Sequence, residues 1–347
     1  MSDRPVFVIG CPRSGTTMLQ LMLHSHPRMA VPPETRFLVP AYERRRSFGD
    51  LREPAAREAL ARWIATDMST KFRELKIDKQ EFVRQAVQGP GTLGSVIGTA
   101  FRMYADRFCA PRWGDKRPSY VKQVDMLLRL FPDAQFVHLI RDGRDCVASL
   151  KEMPWYSLDS YHAVATWAES IDAGVRLRES MPDGTYYELR YEELTADPAT
   201  ELARLCHFLE EEFEPAMISP RQAAGVALPA RKVWHRNTHG DVTRSRVGSW
   251  ASRLEEWEIA LCEHVLGDRL RSLGYELTGA PRVRMDHLVT YQRTAHKRRA
   301  GQVRKAMRDR VERLREPGPL AARLTSGQQA LAGVPRQRTA SLERLSA

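Results

Sequence analysis

The sequence is short of the features that mark secreted scaffolds, zinc modules and membrane spans. Its five cysteines, Cys11, Cys109, Cys146, Cys206 and Cys262, are scattered, odd in number and never spaced C-x-x-C. That excludes a disulfide framework and offers no zinc-site spacing. They read instead as buried small apolar residues of a reducing compartment. Long hydrophobic runs are missing too: the N-terminus passes through only Val6-Phe7-Val8-Ile9 before Gly10, far short of a signal-peptide core or a spanning helix. A cytoplasmic location is therefore expected. The body also lacks a charge of one sign. Residues 1–280 hold 38 Lys+Arg and 38 Asp+Glu, whereas residues 281–347 hold 16 against 5, so the entire net charge of +11 sits in the tail. A balanced body argues against a face for duplex nucleic acid, and the tail suits contact with an anionic membrane or another acidic partner.

What remains is an ordinary globular composition, 42% hydrophobic and 28% charged over 347 residues, with no internal repeat. Val6 to Ile9 is a short β-branched apolar run that stops at Gly10, and an apolar-rich stretch from Met18 to His24 follows, giving strand, loop and helix. Gln135 to Ile140 is a second buried strand, followed by the turn Arg141-Asp142-Gly143-Arg144 and a helix from Asp145 to Glu152. Apolar residues at helix spacing from Tyr120 to Phe131 supply the crossover between them. Thr185 to Leu189 is a third strand candidate; Ala199 to Leu209 and Leu254 to Leu273 are further helices. Strands followed by helices predict an α/β fold, a P-loop-type parallel β-sheet flanked by helices. Residues 41–112 are helix-rich without a clear strand and are expected to form an insertion over the mouth of the sheet, on the acceptor side. The expected organisation is one domain over 1–280 and a basic, helical to disordered tail over 281–347, with a helix-prone stretch around Tyr291 to Leu314.

Gly10-Cys11-Pro12-Arg13-Ser14-Gly15-Thr16-Thr17 lies between strand and helix, where backbone N–H groups and the helix start form an anion cradle. Its Gly-x4-Gly spacing matches a nucleotide triphosphatase loop. That loop continues with lysine, however, and here the position is Thr16. After the strand ending at Ile140, where such an enzyme often places a magnesium-binding acid, the chain has Arg141. An anion rather than a metal is expected there, and no metal is implied anywhere.

These residues carry a resemblance. Pro12 to Thr17 resembles the 5′-phosphosulfate loop of the sulfotransferases, and Phe136 to Ser149 resembles their 3′-phosphate segment. His26-Pro27, Glu34-Thr35-Arg36, Asp115-Lys116-Arg117-Pro118, Tyr191-Glu192-Glu193-Leu194 and Gly248-Ser249-Trp250 are most similar to tyrosylprotein sulfotransferases and their bacterial relatives, over roughly residues 5–275. The resemblance implies 3′-phosphoadenosine-5′-phosphosulfate as co-substrate, without metal. It implies that Ser14, Gly15, Thr16 and Thr17 hold the 5′-phosphate, that Arg13 neutralises the transferring group, and that Arg141 and Ser149 hold the 3′-phosphate, with Tyr191 on the nucleotide side. Glu34 matches the family's general base and Lys116 the lysine at the leaving oxygen. Arg244 and Arg246 lie where relatives close a loop over the nucleotide, although their spacing to Trp250 departs from the tyrosylprotein enzymes.

Sulfuryl transfer is an in-line displacement with charge spread over equatorial oxygens, so fixed cations and backbone donors suffice for it. A carboxylate in reach of the acceptor hydroxyl takes the proton. His24, His26, His138 and His162 could serve as a base, but none lies in a segment resembling the histidine-dependent enzymes. The aromatic residues Trp155, Tyr156, Tyr161 and Trp167 stand at helical spacing and read as core before pocket wall. A kinase or nucleotide hydrolase on the same sheet, and a non-catalytic nucleotide- or polyanion-binding protein, are the competing readings. The acceptor, whether small molecule, sugar, lipid or peptide tyrosine, is not legible, and a homodimer stays open.

Overall fold

A computed structural model describes residues 2–219 and 243–321. Five strands among them, β1 (Val6–Gly10), β2 (Met29–Ala30), β3 (Arg112–Lys116), β4 (Gln135–Ile140) and β5 (Tyr186–Arg190), form a parallel sheet in the order β2-β3-β1-β4-β5. Helix α1 (Thr16–His24) follows β1, and α2 (Leu38–Glu43), α3 (Pro54–Thr66), α4 (Lys79–Gln88) and α5 (Leu93–Asp106) lie between β2 and β3. Helix α6 (Val124–Leu130) leads into β4, α7 (Gly143–Lys151) and α8 (Ser160–Ser180) into β5. The remainder is α9 (Tyr191–Ala196), α10 (Pro198–Phe208), α11 (Glu256–Ser272) and α12 (Met285–Arg313).

β1 is an uninterrupted apolar run, and β4, which includes Gln135 and His138, is buried at every residue, because both faces of each strand are covered. Successive side chains of β1 point to opposite sides. Phe7 and Ile9 join Trp113, Phe131 and Phe136 in the core beneath α5 and α6. Val6 and Val8 join Val137, Leu139 and Leu189 against α1 and α10. Phe7 is the hub of the first layer: its ring is 5.7 Å from Phe136 and 5.9 Å, edge-on, from Trp113. Truncating such a ring to alanine costs about 3–5 kcal/mol.

Side-chain caps mark several helix starts. Asp78 accepts from the Glu81 N–H, Thr92 and Ser95 form a reciprocal capping box, and Asp159 accepts from the His162 N–H. The opening of α7 differs from expectation: Asp142, not Asp145, caps it, accepting from the Arg144 N–H at 2.8 Å. The stretch from Tyr120 to Phe131 is not one helix. A 3-10 turn over Pro118–Lys122 precedes α6, with Gln123 at φ −137° between them. Two strands escaped the sequence pattern: β2 is only two residues long, and β3 is Arg-Trp-Gly-Asp-Lys, so the segment counted as strandless already enters the sheet at Arg112. One cysteine also departs from expectation: Cys109 is exposed, in a turn after α5 at φ +52°, while the other four are buried.

The sheet order positions the site. β1 runs in register with β3 on one side and β4 on the other, pairing Val8 with Lys116 and Gly10 with Leu139. After β1 the chain moves outward to β2, returns through β3, then crosses to β4. The direction of winding therefore reverses at the carboxyl end of β1, where ligands of open α/β sheets bind.

Candidate active site

The loop after β1 has a backbone that few sequences tolerate. Arg13 is left-handed at φ +74° and Gly15 has φ +99°. A Cβ at Gly15 would lie 2.6 Å from Cδ2 of Tyr191, so glycine is needed there for conformation and for close approach. No side chain caps the N-terminus of α1, and its first turn holds no acid, which leaves its N–H groups to an anion. Among the described residues, the Ser14 hydroxyl is fully buried without a hydrogen-bond partner, as is Nε of Arg141. Buried polar atoms of this kind are costly unless a ligand satisfies them, and both suit phosphate oxygens.

Arg141 leaves the end of β4 and is held from four sides. Its Nη1 donates to the Arg13 carbonyl at 3.2 Å and its Nη2 to the Arg246 carbonyl. Asp145 lies 3.4 Å away, and the guanidinium stacks 4.4 Å from the Tyr191 ring centroid. Arg13 Nε donates to Ser149 Oγ at 3.0 Å. Burial first, and then the charge of Arg141, lowers the pKa of Arg13; Arg253 and Arg246 act in the same direction. Arg13, Arg141, Arg246 and Arg253 thus lie near one another beside α7, with Asp145 pairing Arg141 and Glu152 pairing Arg253, and burial of Arg13 beside these cations suits an anion.

The other half of the site lies across α1. Lys116 ends β3 with its Nζ 3.3 Å from Glu34 Oε2 and 3.4 Å from Thr17 Oγ1. Lys116 is nearly buried, at 5% side-chain exposure, whereas Glu34 is 26% exposed. Gln20 of α1 donates to the Pro32 carbonyl at 2.7 Å and so ties the segment carrying Glu34 to the phosphate loop's own helix. Asp115 points to the far face of β3. It accepts from the Tyr120 hydroxyl at 2.8 Å and from the Lys116 N–H at 2.9 Å, and burial pushes its carboxyl up to about 6.

All ten residues singled out from sequence therefore fall at one end of the sheet, in two groups joined by the loop. Glu34, Lys116 and Thr17 form one. Arg13, Ser149, Arg141, Tyr191 and Gly15 form the other, with Ser14 and Thr16 buried in the loop between them. In this arrangement Ser149 meets Arg13, not Arg141. Arg246 contributes its carbonyl to Arg141, and Arg244 is exposed; residues 220–242 lie outside the described residues. The histidines are engaged elsewhere. His24 accepts from the Val31 N–H and is lowered to about 4 by burial; His26 bridges the Arg28 N–H and the Glu212 carbonyl. His138 lies 2.6 Å from the Tyr186 hydroxyl, and His162 pairs with Asp159.

Sequence reasoning missed several supporting residues. Trp167 is core, yet its indole N–H donates to the Arg141 carbonyl at 2.9 Å. Asp145 accepts from the N–H groups of Gly248 and Trp250 and from the Ser249 hydroxyl, which fastens Gly248-Ser249-Trp250 beside Arg141. Lys71, left-handed at φ +57°, is lowered by burial and by Arg36, with Glu34 opposing. Helical spacing is the only signal that could have found Trp167, and nothing local marks Lys71.

The sequence profile of the sulfotransferase family matches residues 5–215. The chain belongs to the sulfotransferase family. Protein-tyrosine sulfotransferase A of Caenorhabditis elegans is 26% identical over 291 residues, covering 80% of this chain and 68% of that protein. Human protein-tyrosine sulfotransferase 1 is 24% identical over 291 residues, covering 79% and 70%. The fold is that of the sulfotransferase domain of the Synechococcus PCC 7002 olefin synthase, with TM-score 0.54 at 22% identity over 80% of this chain and 97% of that one. As a sulfotransferase the chain is a transferase enzyme. No helix among its described residues is long and apolar enough to cross a membrane.

Proposed function

We infer that this sulfotransferase moves the sulfuryl group of 3′-phosphoadenosine-5′-phosphosulfate to the hydroxyl of an acceptor, with a peptide tyrosine the acceptor that the relatives' names support. The observation that carries the reading is the pairing of Lys116 with both Glu34 and Thr17 at the mouth of an anion loop. The donor supplies an activated sulfur bound through an oxygen to the 5′-phosphate. Ser14, Thr16, Thr17 and the N–H groups of the loop would hold that phosphate, and Arg141 with Arg13 and Ser149 would hold the 3′-phosphate.

Glu34 takes the proton of the acceptor hydroxyl as its oxygen forms the new bond to sulfur. Lys116 stabilises the charge that grows on the bridging phosphate oxygen as the old sulfur–oxygen bond breaks. The products are the sulfate ester and adenosine 3′,5′-bisphosphate, and the proton rests on Glu34. Arg13, whose Nε donates to Ser149, stands with Arg141 rather than with Lys116, so its charge serves the nucleotide end of the donor.

Incubation with sulfur-labelled donor and a panel of tyrosine peptides, phenols, sugars and lipids tests the reading. Label should appear in a hydroxyl-bearing acceptor in the absence of magnesium. A strict magnesium requirement, or turnover of a nucleoside triphosphate in its place, would return the chain to the kinase and hydrolase class. Adenosine 3′,5′-bisphosphate at about 100 times its dissociation constant should also stabilise the fold by about 2.7 kcal/mol.

A further inference from the structure

Helix α12 touches the body along one side only. Arg298 grips both carboxylate oxygens of Glu169 at 2.7 Å, Lys305 pairs with Glu43 at 2.8 Å, Glu312 with Arg46 at 3.1 Å, and Asp309 with the buried Arg45 at 3.3 Å. Positions 298, 305, 309 and 312 recur at steps of three, four and seven, which is one face of a helix. No residue of the 29 is buried. The opposite face therefore stands in solvent along a length of about 43 Å.

That outer face is not the usual solvated polar surface. Met285, Val289, Val303, Met307, Val311 and Leu314 fall on it, and Met285, Met307 and Leu314 are 71%, 64% and 82% exposed. Steps of four, four and three from Val303 to Leu314 keep them in one stripe. Six cations of the same helix, Arg293, Lys297, Arg299, Arg304, Arg308 and Arg310, flank this stripe and form no ion pair with a described acid. The acids of the helix are spoken for: Asp309 and Glu312 face the body, and Asp286 pairs with Arg284.

We propose that the outer face of α12 docks on an anionic membrane surface. Its apolar stripe enters the boundary between headgroups and acyl chains, and the six cations lie over lipid phosphates and carboxylates. Charge selects this occupant over a second copy of the chain, because two such faces laid together would oppose the same cations across an apolar seam. A long, exposed stripe also fits a flat surface better than it fits a cleft. The inference concerns a surface outside the sulfuryl-transfer site and stands whichever acceptor that site takes.

Sedimentation of the full chain with vesicles tests it. Vesicles with about 30% phosphatidylserine should carry the protein down and pure phosphatidylcholine should not, with loss of binding at about 0.5 M salt. Arg304→Glu with Arg308→Glu should weaken binding by more than about tenfold, since each cation near the surface is worth roughly fivefold. Met307→Ser with Leu314→Ser should weaken it about three- to tenfold at low salt, with melting temperature and transferase activity unchanged. Failure to sediment with either vesicle overturns the proposal. So does binding that ignores the serine pair and is matched by soluble polyglutamate, which would assign the face to acidic polymers. A dimer seen by light scattering, broken by the same variants without any vesicle binding, would assign it to a second copy.

Discussion

The two halves of the site are built in opposite ways. The half around Arg13 and Arg141 comes from two strand-to-helix connections, the loop between β1 and α1 and the turn between β4 and α7, and backbone groups shape much of it: Arg13 is left-handed and Arg141 donates to the Arg13 and Arg246 carbonyls. The half around Glu34 and Lys116 is assembled from the segment after β2, the end of β3 and the first turn of α1, and is joined by contacts of 3.3 and 3.4 Å. The first half has buried donors without a partner among the described residues; the second is a carboxylate and a cation 3.3 Å apart. On this division, damage to the first half should be felt in nucleotide binding and damage to the second in turnover.

The largest effect expected from that division is on chemistry. Glu34→Gln keeps the side chain's shape but cannot accept a proton, so kcat should fall by about 10²–10⁴-fold while affinity for adenosine 3′,5′-bisphosphate stays near the parent's. Single-turnover rates beside calorimetric binding would separate the two readouts. A variant that lost binding and kept its rate would show the halves to be one.

Behind Lys116, the buried Asp115 gives the second half a pH signature. Its folded carboxyl is raised to about 6, above the ordinary aspartate value, so the folded state holds a proton that the unfolded chain releases. The stability this provides is present below about pH 4 and is lost as pH rises through 6, by about 3 kcal/mol at most. Asp115→Asn should abolish that component: relative to the parent it should gain stability as pH rises from about 4.5 to about 7. Parallel denaturation curves of parent and variant across this window would remove Asp115 from the account. Glu192, also raised by burial, is present in both proteins and cancels from the difference.

Arg141→Ala should act on the first half by roughly 1.5–3 kcal/mol, about tenfold to a hundredfold in affinity for the bisphosphate, because a charge-assisted donor to phosphate is lost. Binding of adenosine 5′-monophosphate, which has no 3′-phosphate, should change much less. Equal losses for both nucleotides would place Arg141 in the fold, where its bonds to the Arg13 and Arg246 carbonyls already give it work.

The same division governs what could be read from sequence. The run Val6 to Ile9, the glycine loop and the strand ending at Ile140 are local patterns, and the sheet reproduces them. β3 is hidden because three of its five residues are charged. They are buried only through distant partners: Arg112 donates to the Arg4 and Leu209 carbonyls and pairs with Glu211, while Asp115 has Tyr120 and Lys116 has Glu34. Gly114 is required where a Cβ would come within 2.7 Å of the Val6 carbonyl, a constraint that exists only once the sheet is formed. Motif resemblance pointed to Glu34 and Lys116 without that information, and the fold brings the two within 3.3 Å. Gln20 and Lys71, which no motif marks, and the bond from the Trp167 indole to the Arg141 carbonyl appear only in three dimensions.

The smallest effect is the most discriminating. Ser149 was expected to share an oxyanion with Arg141, but its hydroxyl accepts from Arg13 Nε at 3.0 Å. If its role is to aim Arg13, Ser149→Ala should lose about 1 kcal/mol of bisphosphate affinity, the worth of one hydrogen bond. The loss should then vanish when Arg13 is already alanine, because the two residues act as one unit. If Ser149 instead holds the 3′-phosphate itself, the two losses should add, and Ser149→Ala should erode discrimination against adenosine 5′-monophosphate as Arg141→Ala does. A double-mutant cycle on Arg13 and Ser149, read by calorimetry with both nucleotides, separates these outcomes. Coupling near the full 1 kcal/mol would make Arg13 the hinge of the first half: buried among other guanidinium groups that lower its pKa, it stays in place only while Ser149 accepts from it.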